Sequence, residues 1–175
     1  MSDEYQNIQN REVIENDIID FLNKFEKNKY DLSIVRGIYL YGEHGSGKSE
    51  FVKNILIRNG FDIILYNSND IRNKAFFENL SKNNISNHSV ISLFQKKKKP
   101  IVIIMDEVDS MISYDKQGMN ILIKLLRPKK TARQKKEELI YNPIICIGNM
   151  KEDKKIKEIK KICPHYYFPQ PTNKE

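Results

Sequence analysis

The stretch Gly42-Glu43-His44-Gly45-Ser46-Gly47-Lys48-Ser49 has the spacing G-x-x-x-x-G-K-[ST], a pattern that functions in one setting, with a strand before it and a helix after it. Glycines let the backbone close tightly around an anion, so that successive N–H groups face it, and the N-terminus of the following helix adds partial positive charge. In that arrangement Lys48 reaches the β- and γ-phosphates of a nucleotide and Ser49 ligates Mg²⁺. The flanks agree with the setting. Arg36-Gly37-Ile38-Tyr39-Leu40-Tyr41 is short and β-prone, while Phe51, Val52, Ile55 and Leu56 recur at helical spacing until Gly60 supplies a C-terminal stop.

The rest of the chain alternates in the same way. Ile14, Ile18, Phe21, Leu22 and Phe25 form one face of an amphipathic helix, followed by a polar linker from Lys27 to Ser33. Phe61 to Tyr66 reads as a second strand, and Asp70 as the cap of a helix beginning at Ile71 that turns Phe76, Phe77 and Leu80 inward. A short apolar helix from Val90 to Phe94 and the run Lys96 to Lys99 follow. Ile101-Val102-Ile103-Ile104-Met105 is continuously apolar, as expected of a strand covered on both faces of a parallel sheet. After Asp106-Glu107-Val108-Asp109 come a polar turn from Tyr114 to Gly118 and a helix with Met119, Leu122, Ile123 and Leu126 on one side, ended by Pro128. A charged insertion from Lys129 to Glu138 leads to a fourth strand, Pro143 to Gly148, with Asn149 at its tip. A lysine-studded helix around Ile156, Ile159 and Ile162 and a fifth strand, His165 to Phe168, complete the pattern. The expected fold is an α/β three-layer sandwich on a mainly parallel five-stranded sheet. It divides into an N-terminal helix and linker over 1–33, a core over 34–171 and a tail over 172–175.

At 175 residues the length suits one domain. Lys and Arg outnumber Asp and Glu by 30 to 23, a formal charge of +7 that favours a polyanionic partner such as nucleic acid. Cys146 and Cys163 lack both a C-x-x-C spacing and histidine companions, which argues against a zinc site or a disulfide framework and fits a reducing compartment. The N-terminus is acidic and polar, and no apolar run approaches the roughly 18 residues of a membrane span, so a soluble intracellular protein without membrane contact is expected.

In open α/β sheets a ligand sits at the carboxyl ends of the strands, which is where the phosphate loop, Asp106, Glu107 and Asn149 all fall. Asp106 has the position of the carboxylate that holds Mg²⁺ in phosphate-loop NTPases. Glu107 is then the base or orienting group for the water that attacks the γ-phosphate, and Asn149 hydrogen-bonds that water or the γ-phosphate itself. An acidic pair at a strand end also serves as a cap or surface turn, and for Asn149 taken alone a structural turn residue is the rival reading. Asp109 reads as a helix cap, and His44 as a solvent-facing loop residue.

Four ordered segments carry a resemblance: the phosphate loop, Asn67-Ser68-Asn69-Asp70-Ile71-Arg72-Asn73-Lys74, Met105-Asp106-Glu107-Val108-Asp109-Ser110-Met111, and Pro143-Ile144-Ile145-Cys146-Ile147-Gly148-Asn149. Together they resemble the AAA+ ATPases and, within them, the clamp-loader family, most of all the large subunits of replication factor C. The resemblance runs from about Ile34 to Pro171. It implies ATP and Mg²⁺ as cofactors, with the loop from Gly42 to Ser49 as their cradle and Asp106 with Glu107 as the Walker B pair. It further implies Asn149 as sensor 1, and Arg72 as the residue that couples DNA contact to the catalytic glutamate. The implied partners are other AAA+ subunits in a hetero-oligomer, a sliding clamp and primed double-stranded DNA, in the nucleus or a viral replication compartment.

The chain also departs from that family. No adenine-holding pattern is visible before the loop, and the helical lid with its sensor 2 arginine and the collar domain have no counterpart before Glu175. No Ser-Arg-Cys arginine finger follows Asn149 and no arginine follows Arg133, as in a large subunit whose site receives a finger from its neighbour. Three basic groups, Lys96 to Lys99, Arg127 to Lys136 and Lys151 to Lys161, are either phosphate-backbone contacts or solvated surfaces. Beside an ATPase that works as a clamp-loader subunit stand two alternatives: a non-catalytic assembly or DNA-binding module, and a helicase loader.

Overall fold

The computed structural model describes residues 2–67, 99–114, 116–136, 140–151 and 153–170. In chain order the elements are α1 (Ser2–Asn28), β1 (Gly37–Gly42), α2 (Lys48–Arg58), β2 (Asp62–Tyr66), β3 (Ile101–Met105), α3 (Val108–Tyr114), α4 (Lys116–Leu126), β4 (Ile144–Asn149), α5 (Lys154–Ile162) and β5 (His165–Phe168). The strands form one five-stranded sheet in the order β2-β3-β4-β1-β5. Every neighbouring pair is parallel.

Side chains alternate across a strand, so an unbroken apolar run must supply both faces. In β3 and β4, Ile103, Met105, Ile144 and Cys146 enter one core, while Val102, Ile104, Ile145 and Ile147 enter the other. The first core is closed by Val108 and Met111 of α3, Met119, Leu122 and Leu126 of α4, and Ile156 and Ile159 of α5. The second is closed by Ile14, Ile18 and Leu22 of α1 with Val52, Ile55 and Leu56 of α2. Each fully buried aliphatic side chain contributes roughly 1.5–3 kcal/mol, so both faces of the sheet are strongly specified. Both cysteines lie buried in the first core.

Helix ends follow the residues. Gly60, at φ 77, closes α2: its N–H reaches the Ile57 carbonyl at 3.1 Å and the Phe61 N–H reaches that of Leu56 at 3.0 Å. Asp153 caps α5 by accepting from the Lys155 N–H at 2.7 Å. Just before β1, Arg36 is fully buried and donates from Nη1 to the Ile140 carbonyl at 2.5 Å and from Nη2 to the Asp31 carbonyl at 3.1 Å. Burial lowers its pKa, and its guanidinium lies over the Phe25 ring, so it ties the linker and α1 to the sheet.

Three expectations change. The polar turn from Tyr114 to Gly118 gives way to α3, which ends at Tyr114, and α4, which starts at Lys116 and contains Gly118. Val108 and Met111, one turn apart, bury against the sheet and fold α3 directly off β3. Lys129, in the charged insertion whose lysines read as either phosphate-backbone contacts or solvated surface, is 1% exposed: its N–H donates to the Leu32 carbonyl at 2.7 Å and its ammonium to the Lys124 carbonyl at 2.5 Å. Asp109 is not the helix cap it was read as. The helices expected from Ile71 and from Val90, and the run from Lys96 to Lys98, lie outside the described residues.

Candidate functional site

β1 sits between β4 and β5, and its last residue, Gly42, pairs in register with Asn149 on one side and Phe168 on the other. A Cβ at Gly42 would stand 2.3 Å from the Phe168 carbonyl oxygen, so no side chain fits there. Gly45 and Gly47 are glycines for another reason. Their φ values are 76° and 84°, a left-handed backbone, while nothing lies within 4 Å of a Cβ added at either. The turn they make is held by the Ser46 hydroxyl, which donates to the Glu43 carbonyl at 2.8 Å. Gly47 then caps α2, accepting from the Phe51 N–H at 2.9 Å, and the first-turn amides have no acceptor within the helix.

Lys48 is 7% exposed, and its ammonium donates to the Gly42 carbonyl at 3.1 Å, the Glu43 carbonyl at 2.6 Å and Ser46 Oγ at 3.3 Å. Burial lowers its pKa, while the charges of Asp106 and Asp109 pull it back up. The result is a cation fixed inside the loop.

The acidic segment meets this loop across the sheet. Ser49 Oγ donates to Asp106 Oδ2 at 2.5 Å, and Asp106 Oδ1 accepts from the Glu107 N–H at 2.9 Å. The Asp106 N–H continues the ladder to the Tyr66 carbonyl of β2 at 2.8 Å. Glu107 has φ 55°, the one positive value at a non-glycine among the described residues. That conformation costs roughly 1–2 kcal/mol, and it turns the chain from β3 into α3 within one residue, the Ser110 N–H closing on the Glu107 carbonyl at 2.9 Å. Asp109 lies 1% exposed in the first turn of α3, and its carboxylate faces β4: Oδ1 accepts from the Asn149 N–H at 3.0 Å and Oδ2 from Asn149 Nδ2 at 3.3 Å.

A cleft of about 380 Å³ opens over these groups. His44, Gly45, Gly47, Lys48, Ser49, Asp106, Glu107 and Asn149 line it, while Gly42, Glu43 and Ser46 stand behind it as acceptors for Lys48. Arg72 lies outside the described residues. Glu50 and Lys53 line the cleft without having been singled out in the sequence. Lys53 was findable, since it stands one helical turn beyond Ser49 on α2. Asp109 had no such signal, because its partner is forty residues away.

A parallel sheet whose first strand runs through G-x-x-x-x-G-K-S into a helix, with an aspartate at the end of β3 bonded to the loop serine, is the fold and site arrangement of the phosphate-loop class of nucleotide-binding proteins. Within that class the chain belongs to the AAA ATPases: the family model described as "ATPase family associated with various cellular activities (AAA)" matches residues 38–160. Among similar proteins, replication factor C subunit 1 of Saccharomyces cerevisiae is 30% identical over 145 residues, 79% of this chain and 16% of that protein. Replication factor C subunit 1 of Arabidopsis thaliana is 28% identical over 160 residues, 85% of this chain and 16% of its own length. The replication factor C large subunit of Nanoarchaeum equitans is 24% identical over 160 residues, 89% of this chain and 31% of that protein. The chain therefore spans about a sixth of the eukaryotic relatives and under a third of the archaeal one. Among the described residues no helix is long and apolar enough to cross a membrane.

Proposed function

We propose that this chain binds ATP with Mg²⁺ in the cleft above β1 and hydrolyses it, as the ATPase core, over residues 34–171, of a clamp-loader-like subunit in DNA replication. The observation that carries the reading is the bond between Ser49 Oγ and Asp106 Oδ2, made beside a buried Lys48 and with Glu107 and Asn149 on the same cleft. A hydroxyl and a carboxylate are hard oxygen donors suited to Mg²⁺, and Ser49 and Asp106 would hold it. When bound, the ion would supply charge neutralisation to the phosphoryl group being transferred. The loop amides and Lys48 bind and orient the triphosphate. Glu107 takes the proton of the attacking water, and Asn149 orients that water or the γ-phosphate.

Among the described residues the cleft lining contains Lys48 and Lys53 but no arginine. An arginine supplied by a neighbouring subunit is worth on the order of 10³–10⁵ in related phosphoryl transfer, so turnover by the isolated chain is slow. The relatives' name, a subunit of a replication factor, supports partner subunits, and the resemblance carried by the four sequence motifs implies a sliding clamp and primed duplex DNA as the further partners. Lys154, Lys157 and Lys161 on α5 are exposed and suited to phosphate backbone.

The test is ATP hydrolysis with and without primed duplex DNA, in wild type and Glu107→Gln, beside Mg·ATP affinity by calorimetry. Binding, with a DNA-stimulated rate that Glu107→Gln abolishes, is the expected result. Binding without turnover in the presence of partner subunits and DNA would favour a non-catalytic module. Absence of binding would overturn the reading.

A further inference from the structure

A carboxylate that is 1% exposed is costly to bury unless its oxygens are met by donors, and the donors that Asp109 meets come from the end of β4. Asn149 supplies both its main-chain N–H at 3.0 Å and its side-chain Nδ2 at 3.3 Å, and Lys151 adds its ammonium at 3.4 Å. One carboxylate thus grips Asn149 by backbone and side chain together. The grip also selects the rotamer, since turning the amide over would press its oxygen against the Asp109 carboxylate. Room for this is left by Gly148: a Cβ there would lie 2.6 Å from the Tyr39 hydroxyl and 3.3 Å from Asp109 Oδ1. Asp109 follows Glu107 by two residues, so the segment that carries the two cleft carboxylates also holds Asn149, on a different strand, in fixed register with them.

We propose that Asp109 is the positioning residue for Asn149, locking the amide nitrogen toward α3 so that the remaining amide groups are presented to the γ-phosphate and its attacking water. The proposal rests on the ATPase reading above and adds to it a residue that touches neither nucleotide nor metal. Lys151, more than half exposed, shares the carboxylate but not the amide, and serves as the control.

The experiment compares wild type, Asp109→Asn, Asn149→Ala, the double variant and Lys151→Ala. The readouts are the DNA-stimulated hydrolysis rate, the Mg·ATP dissociation constant, and the ratio of dissociation constants for ADP and a slowly hydrolysed γ-thio analogue of ATP. Asp109→Asn keeps size and shape but sets an NH₂ group against donors, so it cannot keep both bonds. Its rate is expected to fall about 10- to 100-fold, with Mg·ATP affinity within about twofold and discrimination of the γ-phosphate reduced. In the Asn149→Ala background the same change should add little, and Lys151→Ala should leave the rate within about twofold of wild type. An Asp109→Asn rate equal to wild type, or an undiminished effect on top of Asn149→Ala, overturns the proposal while leaving the ATPase reading intact. Absence of nucleotide binding by wild type overturns both. Should Asp109→Asn fail to fold, hydrogen exchange of the Asn149 side-chain amide in wild type decides. Slowed exchange supports the lock, and exchange at the rate of a free surface amide overturns it.

Discussion

Replacing Gly42 by alanine tests whether the loop is anchored by space or by backbone freedom. The added methyl would lie 2.3 Å from the Phe168 carbonyl oxygen, 3.3 Å from its carbonyl carbon and 3.5 Å from its Cβ. Ordinary contact lies near 3.5 Å, so β5 must retreat by about 1 Å or the last ladder pair must open. β5 is an edge strand of four residues paired to β1 alone, and Phe168 at its end is buried between the Phe51 ring, 4.8 Å away, and the Arg11 guanidinium, 4.9 Å away. Overpacking of this kind costs about 1–3 kcal/mol, which at about 2–4 °C per kcal/mol for a domain of this size lowers Tm by roughly 2–12 °C. The Gly42 carbonyl also accepts from the Lys48 ammonium, so Mg·ATP affinity should fall with it. Thermal unfolding by circular dichroism and nucleotide calorimetry read the two effects. Because the obstacle is a backbone oxygen, Phe168→Ala in the same chain should not restore stability. A Gly42→Ala protein that melts within about 1 °C of wild type, or rescue by Phe168→Ala, would refute the steric argument. Gly45→Ala meets no neighbour and should lose only the roughly 1–2 kcal/mol of its left-handed backbone.

Asp106→Asn removes a charge from the proposed Mg²⁺ pair, and should abolish the gain in ATP affinity on adding Mg²⁺ while the fold survives, as titrations with and without the ion will show. Lys129→Met keeps the buried stem but loses the bond to the Lys124 carbonyl, and should lower Tm by several degrees, whereas Lys130→Ala on the exposed surface should change stability by less than about 0.5 kcal/mol; urea melts compare them. Burial pushes the Cys163 thiol up from 9.0 to about 12. The unfolded chain therefore releases this proton first, so the stabilisation is complete below pH 9.0 and is lost as pH rises toward 12. The unfolding free energy from urea melts should fall across that window by about 1.4 kcal/mol per pH unit from this group, and Cys163→Ala should reduce the slope.

Strand, loop and helix around Gly42 to Ser49 were legible because each local signal agreed: a short β-prone run before the loop, glycines within it, helical spacing after it and Gly60 as the stop. The apolar runs from Ile101 to Met105 and from Pro143 to Gly148 announced buried parallel strands, since a strand covered on both faces has no polar positions to spare. Position at the strand ends was enough to nominate Asp106, Glu107 and Asn149. What stayed hidden was set by partners distant in sequence. The short helix α3 exists because Val108 and Met111 pack against the sheet, and Lys129 looked like one more solvated lysine until the Lys124 and Leu32 carbonyls closed around it.

The sequence by itself determined the chemistry offered at the carboxyl edge of the sheet and the class of fold that offers it, because phosphate binding by backbone amides and burial of apolar strands both depend on residues near one another along the chain. Only the tertiary structure decided that Asp109 faces β4 instead of capping its own helix. A buried carboxylate goes wherever donors meet it, and for Asp109 those donors arrive forty residues later, on a strand that folding lays beside β1 and β3.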